Sequence, residues 1–230
     1  MSPSPLYLKQ LEVGPMQNFI YLVGDREKRE CVIVDPAWDV ESVLRAAAAD
    51  EMKVTGALVT HSHFDHVNGL PDFAGKNGGK IYIHKKEAAE LKNFKGDLVK
   101  VDSGDKLKIG GVELTFLHTP GHTPGSQCFL INCPSPQPSP LRGEGRVRGH
   151  LISGDTLFIN ACGRCDLPGG NAEEMYESLQ RLSRLDEKTI LFPGHNYENR
   201  PTSTIGDEKR TNPYLQSHSL QDFLHFRMGM

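Results

Sequence analysis

Three histidines and an aspartate crowd into the segment Thr60-His61-Ser62-His63-Phe64-Asp65-His66, directly behind the apolar run Val54–Val59. A strand that empties into such a turn must end where a polar centre can be built. Divalent metals bind imidazole nitrogen and carboxylate oxygen. Neighbouring side chains on a turn diverge, so His61 and His63 suit one ion while Asp65 and His66 reach a second. Two ions about 3.5–4 Å apart can share a bridging hydroxide and clamp a substrate oxygen. A His-rich surface loop is the bland alternative, and a buried strand leading straight into it argues against that.

Two ions need more ligands than four, and the chain offers three further residues, each behind a strand-like run. His122 lies in Thr119-Pro120-Gly121-His122-Thr123-Pro124-Gly125, where prolines and glycines fix a sharp turn. Asp155 follows Ser153-Gly154, and a carboxylate there could bridge both ions. His195 follows Phe192-Pro193-Gly194. His84, His118, His150, His218 and His225 lack such contexts and are expected to be structural or solvent-facing.

Periodicity places these motifs on a layered α/β frame. Phe19–Val23 and Cys31–Val34 read as a hairpin, and Val40–Asp50 as a helix capped by Asp39. Lys80–His84 is an expected strand and Glu87–Phe94 an expected helix. Lys106–Ile109 and Val112–Leu117 form a second hairpin around Gly110-Gly111. Gln127–Ile131, His150–Ser153 and Thr189–Phe192 are expected strands, and Ala172–Leu185 is a helix capped by Asn171. The site therefore belongs on loops at strand ends. The segment 133–149, CPSPQPSPLRGEGRVRG, is too rich in proline and glycine for strand or helix and is expected to be a flexible surface insertion.

Bulk properties narrow the classes. The 230 residues fit one domain spanning 1–230, and 37% hydrophobic content excludes a disordered chain. A net charge of −3 with interleaved signs offers no basic track, which argues against nucleic acid and a nuclease. No apolar run approaches the roughly 18–20 residues that span a bilayer. The N-terminus shows no signal-peptide pattern, so the cytoplasm is the expected location and β-lactam hydrolysis, an exported activity, is disfavoured. Five cysteines, an odd number at scattered spacing, do not make a disulfide framework. Cys162 and Cys165 form a C-x-x-C pair, read as incidental because no second pair or redox context accompanies it.

The four motifs T-H-S-H-F-D-H at 60–66, T-P-G-H-T-P-G at 119–125, S-G-D at 153–155 and P-G-H at 193–195 resemble the metallo-β-lactamase superfamily in order and spacing. That resemblance runs from Phe19 to about Leu215 and implies a four-layer αββα sandwich. It implies that His61, His63 and His122 hold one metal, that Asp65, His66 and His195 hold the other, and that Asp155 bridges. The segments Ala161–Asp166 and Thr202–Leu215 resemble glyoxalase II-like proteins and persulfide dioxygenases. In those families a C-G-(R/K) loop contacts glutathione, which gives Arg164 the task of pairing with a substrate carboxylate. The stretch after His195 is too short for the helical domain of full-length glyoxalase II. Asp166 also stands where that enzyme usually carries an aromatic residue.

The leading expectation is a glyoxalase II-like hydrolase that cleaves a glutathione thioester or similar small thiol-derived substrate. Two divalent ions, zinc first with iron or manganese as alternatives, would generate hydroxide, and Asp65 would hold and orient it. The alternative is a persulfide dioxygenase with a single iron on His61, His122 and Asp155. A non-catalytic metal-binding protein is the third reading, and a complete ligand set is more than a scaffold needs.

Overall fold

The computed structural model describes residues 4–133 and 148–229. β1 (Leu6–Val13), β2 (Asn18–Asp25), β3 (Glu30–Val34), β4 (Lys53–Val59), β5 (Lys80–His84) and β6 (Leu98–Val101) hydrogen-bond in that order into one sheet. The first three run antiparallel, and β3 to β6 run parallel. The parallel pairs need crossovers. α1 (Val40–Ala49) joins β3 to β4, and α2 (Phe64–Val67) with α3 (Leu70–Lys76) join β4 to β5.

The second sheet contains β7 (Lys106–Ile109), β8 (Val112–His118), β9 (Gln127–Cys133), β10 (Arg148–Gly154), β13 (Ile190–Pro193) and β14 (Ser203–Thr204), paired in that order. A small hairpin of β11 (Leu157–Phe158) and β12 (Ala161–Cys162) precedes α4 (Ala172–Leu182). α5 (Ile205–Thr211) and α6 (Leu220–Met228) complete the described chain.

Side-chain alternation along the strands builds the layers. On β2 and β3, Ile20, Leu22, Cys31 and Ile33 face a core shared with Val40, Val43, Leu70 and Phe73 of the helices. Their neighbours Phe19, Tyr21, Val23, Val32 and Val34 point the other way. There they meet Leu114, Phe116, Phe129, Ile131 and Ile152 of the second sheet. On the far side of that sheet, Cys128, Leu151 and Leu191 pack against Met175, Leu179, Leu182 and Phe223. Helix, sheet, sheet and helix stack as an αββα sandwich, as the resemblance implied. Burial at about 25 cal/mol per Å² of apolar surface makes these three cores the main stabilising contribution.

The caps stand where expected. Asp39 Oδ1 accepts from Ser42 N at 2.9 Å, and Asn171 Oδ1 accepts from Glu174 N at 3.1 Å. The helix expected over Glu87–Phe94 is not formed. A 3-10 turn covers Glu87–Ala89 only, with i→i−3 bonds such as Glu90 N to Glu87 O at 2.9 Å. The reason is tertiary: the Glu87 side chain turns inward to polar donors of other loops, which holds its backbone in the turn. The sequence also gave no sign of α5 or α6. Only Phe223 of α6 is buried, so the helix lacks a clear apolar stripe.

Most of the proline-rich insertion at 133–149 lies outside the described residues. Its anchors do not: Cys133 pairs with Arg148 across antiparallel β9 and β10, at the opposite end of these strands from Gln127 and Gly154. No helix among the described residues is long and apolar enough to cross a membrane.

Candidate metal centre

Strand ends of the two sheets meet at one edge of the sandwich. Gln127 N donates to Thr60 O at 2.9 Å, Phe19 N to Gly194 O at 2.8 Å, and Gly194 N to Gly154 O at 2.9 Å. These bonds tie β2, β4, β9, β10 and β13 together just before the polar residues begin. Gly154 has φ +49°, and a Cβ there would sit 2.7 Å from the Thr60 side chain. Only glycine permits that conformation and that approach without strain.

All seven residues expected at the centre converge there. Ligand atoms of His61, His63 and His122 lie within 4.8 Å of one another, as do those of Asp65, His66 and His195. Asp155 spans the two sets. Its Oδ1 is 3.3 Å from His66 Nε2, and its Oδ2 is 3.4 Å from His195 Nε2 and 3.7 Å from His122 Nε2. It also groups with His61 and His66.

Hydrogen bonds fix four of the imidazoles by their outer nitrogen. His122 Nδ1 lies 2.8 Å from Arg164 O, and His195 Nδ1 lies 2.9 Å from Met16 O. Carbonyl oxygens only accept, so each Nδ1 carries the proton. His66 Nδ1 faces Asp35 Oδ2 at 2.9 Å. His61 Nδ1 faces Thr60 Oγ at 3.0 Å, and that hydroxyl donates to Asp35 Oδ2 at 2.6 Å, so it accepts from His61. Every one of these rings therefore turns Nε2 toward the centre, the arrangement expected of metal-ligating histidines. His61 Nε2, His122 Nε2 and Asp155 Oδ1 are buried with no hydrogen-bond partner. Buried polar atoms are rarely left so, and an ion among them would satisfy all three.

Electrostatics points the same way. Burial, then the nearby His66, holds His61 well below its ordinary pKa. Burial opposes charge on His66 too, but Asp155 and Asp35 outweigh it and raise that imidazole well above the ordinary value. Likewise, Asp155 and Asp65 overcome burial to push His195 up to about 9. Burial works against ionisation of Asp65, yet His195 and His66 bring it down to about 2. Asp155 is held well below the carboxylate range by His66 and His195 in the same way. The two carboxylates demand positive charge, and a cation can take the place of the protons.

Arg164, expected to pair with a substrate carboxylate, pairs here with a carboxylate of the chain itself. Its main-chain carbonyl orients His122. Its side chain is 61% exposed, and the guanidinium grips Asp166 bidentately, Nε to Oδ1 at 3.0 Å and Nη2 to Oδ2 at 2.7 Å. The nearby Cys162 and Cys165 are free thiols packed in the core beneath α4 and α6, and burial pushes the Cys165 thiol up, as befits inert structural cysteines.

Two residues of the centre were not read from the sequence. Asp35 accepts from Thr60 N at 2.7 Å as well as from Thr60 Oγ, and so steadies both His61 and His66. Its signal was a carboxylate directly behind an apolar strand, the same signal that marked Asp155. Asn18 donates through Nδ2 to Asp65 Oδ2 at 3.0 Å while its Oδ1 accepts from Trp38 Nε1 at 2.8 Å. Nothing local distinguishes it.

Known proteins are similar to this chain in sequence and in fold. The chain is 29% identical to the probable polyketide biosynthesis zinc-dependent hydrolase PksB of Bacillus subtilis, over 91% of this chain and 87% of that one. It is 30% identical to the mitochondrial persulfide dioxygenase ETHE1 of Mus musculus, over 97% of this chain and 81% of that one. The crystal structure of ETHE1 from Myxococcus xanthus superposes with a TM-score of 0.81 at 28% identity, covering 96% of this chain and 90% of that one. The sequence model of the metallo-beta-lactamase superfamily matches residues 13–195, from the end of β1 to the last histidine of the centre. With the αββα layers and the converging strand ends, that match makes the chain a metal-dependent enzyme belonging to the metallo-β-lactamase superfamily.

Proposed function

We propose that the protein is a hydrolase of the glyoxalase II-like type that cleaves a small thioester, such as a glutathione conjugate, at a centre of two divalent ions. The observation that carries this reading is the division of the ligand atoms into His61/His63/His122 and Asp65/His66/His195, with Asp155 reaching toward both sets. The three unpartnered buried atoms fit such a pair of ions. Zinc is the first candidate, in keeping with the zinc-dependent relative, and iron and manganese suit the same donors.

When bound, the metals supply Lewis acidity and lower the pKa of coordinated water from about 15.7 toward 7. The residues of the chain supply orientation. Asp65, steadied by Asn18, would hold and aim the attacking water. With Nδ1 bonded outward, His61, His66, His122 and His195 present Nε2 as the ligand atom. A thiolate leaves easily, so a strong general acid is less necessary than for an amide. Arg164 would meet a carboxylate on the thiol portion by exchanging its partner Asp166.

A persulfide dioxygenase is the second reading, favoured by the likeness to the mouse enzyme along 97% of this chain. It would use one iron on His61, His122 and Asp155. One preparation tests both. Metals per chain are measured by elemental analysis on protein purified without added metal, followed by S-lactoylglutathione hydrolysis and glutathione-persulfide-dependent oxygen uptake. Close to two metals with hydrolysis and no oxygen uptake is expected. Close to one iron with oxygen uptake overturns the hydrolase reading.

A further inference from the structure

We infer that Glu87 is a positioning residue, a buried carboxylate that clamps the His61–His63 turn to the His122 turn and sets the spacing of that three-histidine set. The inference rests on the reading that these histidines hold an ion. Glu87 is only 2% exposed, and among the described residues no Lys, Arg or His pairs with it in a salt bridge. A carboxylate stripped of water and without a counter-ion must be solvated by donors. Its four donors come from the two ligand turns alone.

Oε2 accepts from Ser62 N at 2.9 Å and from Ser62 Oγ, on the residue between His61 and His63. Oε1 accepts from Thr123 Oγ1 at 2.8 Å, on the residue after His122, and from Gly125 N at 2.7 Å. Thr123 Oγ1 is in turn 2.7 Å from Ser126 Oγ, which accounts for its remaining capacity. A Cβ on Gly125 would come within 2.7 Å of Glu87 Cγ and Oε1, so the second proline-glycine turn is cut to fit this side chain. The ring centroids of His63 and His122 end up 4.5 Å apart, and those of His61 and His122 4.8 Å apart. No other side chain described above bonds to both turns. Asp35, by contrast, takes its hydrogen bonds from Thr60 and His66 and so steadies His61 and His66.

One donor on each oxygen is a backbone N–H, which cannot reverse. Glu87→Gln therefore sets an amide NH2 against either Ser62 N–H or Gly125 N–H, whichever way it turns, with almost no change in volume. The test titrates metal-free wild type and Glu87→Gln with Co2+, following the visible spectrum and the stoichiometry, with Zn2+ competition for affinity. Circular dichroism and thermal melting of the metal-free proteins monitor the fold. Outer-shell partners of metal ligands are typically worth 10–100-fold in affinity. We expect one of the two Co2+ steps to weaken about tenfold or more and the other to be unchanged. The one-equivalent spectrum should match His63→Ala rather than His195→Ala. If Glu87→Gln does not fold, Thr123→Val removes one donor of the same clamp and should give the same selective loss at smaller size. Wild-type affinity at both steps, or equal weakening of both, overturns the inference. A wild type that binds no metal removes the reading beneath it, and the inference with it.

Discussion

His122 presents its Nδ1 to the main-chain carbonyl of Arg164 at 2.8 Å, while the guanidinium of Arg164 points away to Asp166. One residue thus holds a histidine of the candidate centre through its backbone and leaves its side chain for another task. Replacing the side chain should separate the two. Arg164→Ala is expected to keep wild-type metal content and to lower kcat/KM for a glutathione thioester about tenfold, mainly through KM. That modest size reflects the loss of one solvent-exposed, charge-assisted contact to the substrate. Unchanged steady-state kinetics would remove Arg164 from substrate binding.

Asp35 accepts three hydrogen bonds beneath the centre, two from Thr60 and one from His66. Asp35→Asn cannot accept from all three donors, and its NH2 must face one of them. The variant should bind metal about 10–100-fold more weakly. It should also lose about 1–3 kcal/mol of stability from an unsatisfied buried group. Metal titration and urea unfolding on the metal-free protein read the two effects separately.

Metal binding should release protons. In the metal-free protein the carboxylates around the facing Nε2 atoms of His66 and His195, 3.1 Å apart, raise both rings against burial and push His195 up to about 9, so the pair holds an extra proton at neutral pH. Ligation requires the neutral rings. Affinity should therefore rise as pH increases from about 6 toward 9, by about a decade per unit for each proton displaced. Calorimetry of Zn2+ binding in buffers of differing ionisation enthalpy counts those protons. A binding heat independent of buffer contradicts the charged state of these histidines.

Asp25 carries a pH dependence of the fold rather than of the site. Burial opposes its ionisation, but backbone N–H groups of Gly111, Lys28 and Glu27 overcome it and lower its pKa below 3.8. Those bonds join the β2–β3 turn to the β7–β8 turn, with Gly111 N 2.5 Å from Oδ2. In acid the unfolded chain takes up this proton first. The contribution is therefore present above about pH 4 and lost as pH falls through the lowered folded value. Asp25→Asn should be less stable at pH 7, and its stability should fall less between pH 5 and pH 2 than that of wild type. Parallel acid limbs in denaturant melts would exclude Asp25 as their cause.

The sequence by itself determined which residues gather at the candidate centre and the frame that carries them. His61, His63, Asp65, His66, His122, Asp155 and His195 were legible because each stands behind an apolar run on a turn of strong local character. The short apolar runs Phe19–Val23 and Cys31–Val34 marked strands, and the fold buries both of their faces. The tertiary structure decided what those residues do to one another. Arg164 O and Met16 O fix His122 and His195 across 42 and 179 residues of chain. Every residue has a carbonyl, so no letter in the sequence marks which one serves. Glu87 read locally as the start of a helix, and became a buried clamp only when two distant turns brought their donors to it. Local pattern specifies what can lie at a strand end. The pairing of distant strands specifies which protons, carbonyls and charges meet there, because hydrogen bonds act over about 3 Å and only the folded sheets bring such groups that close.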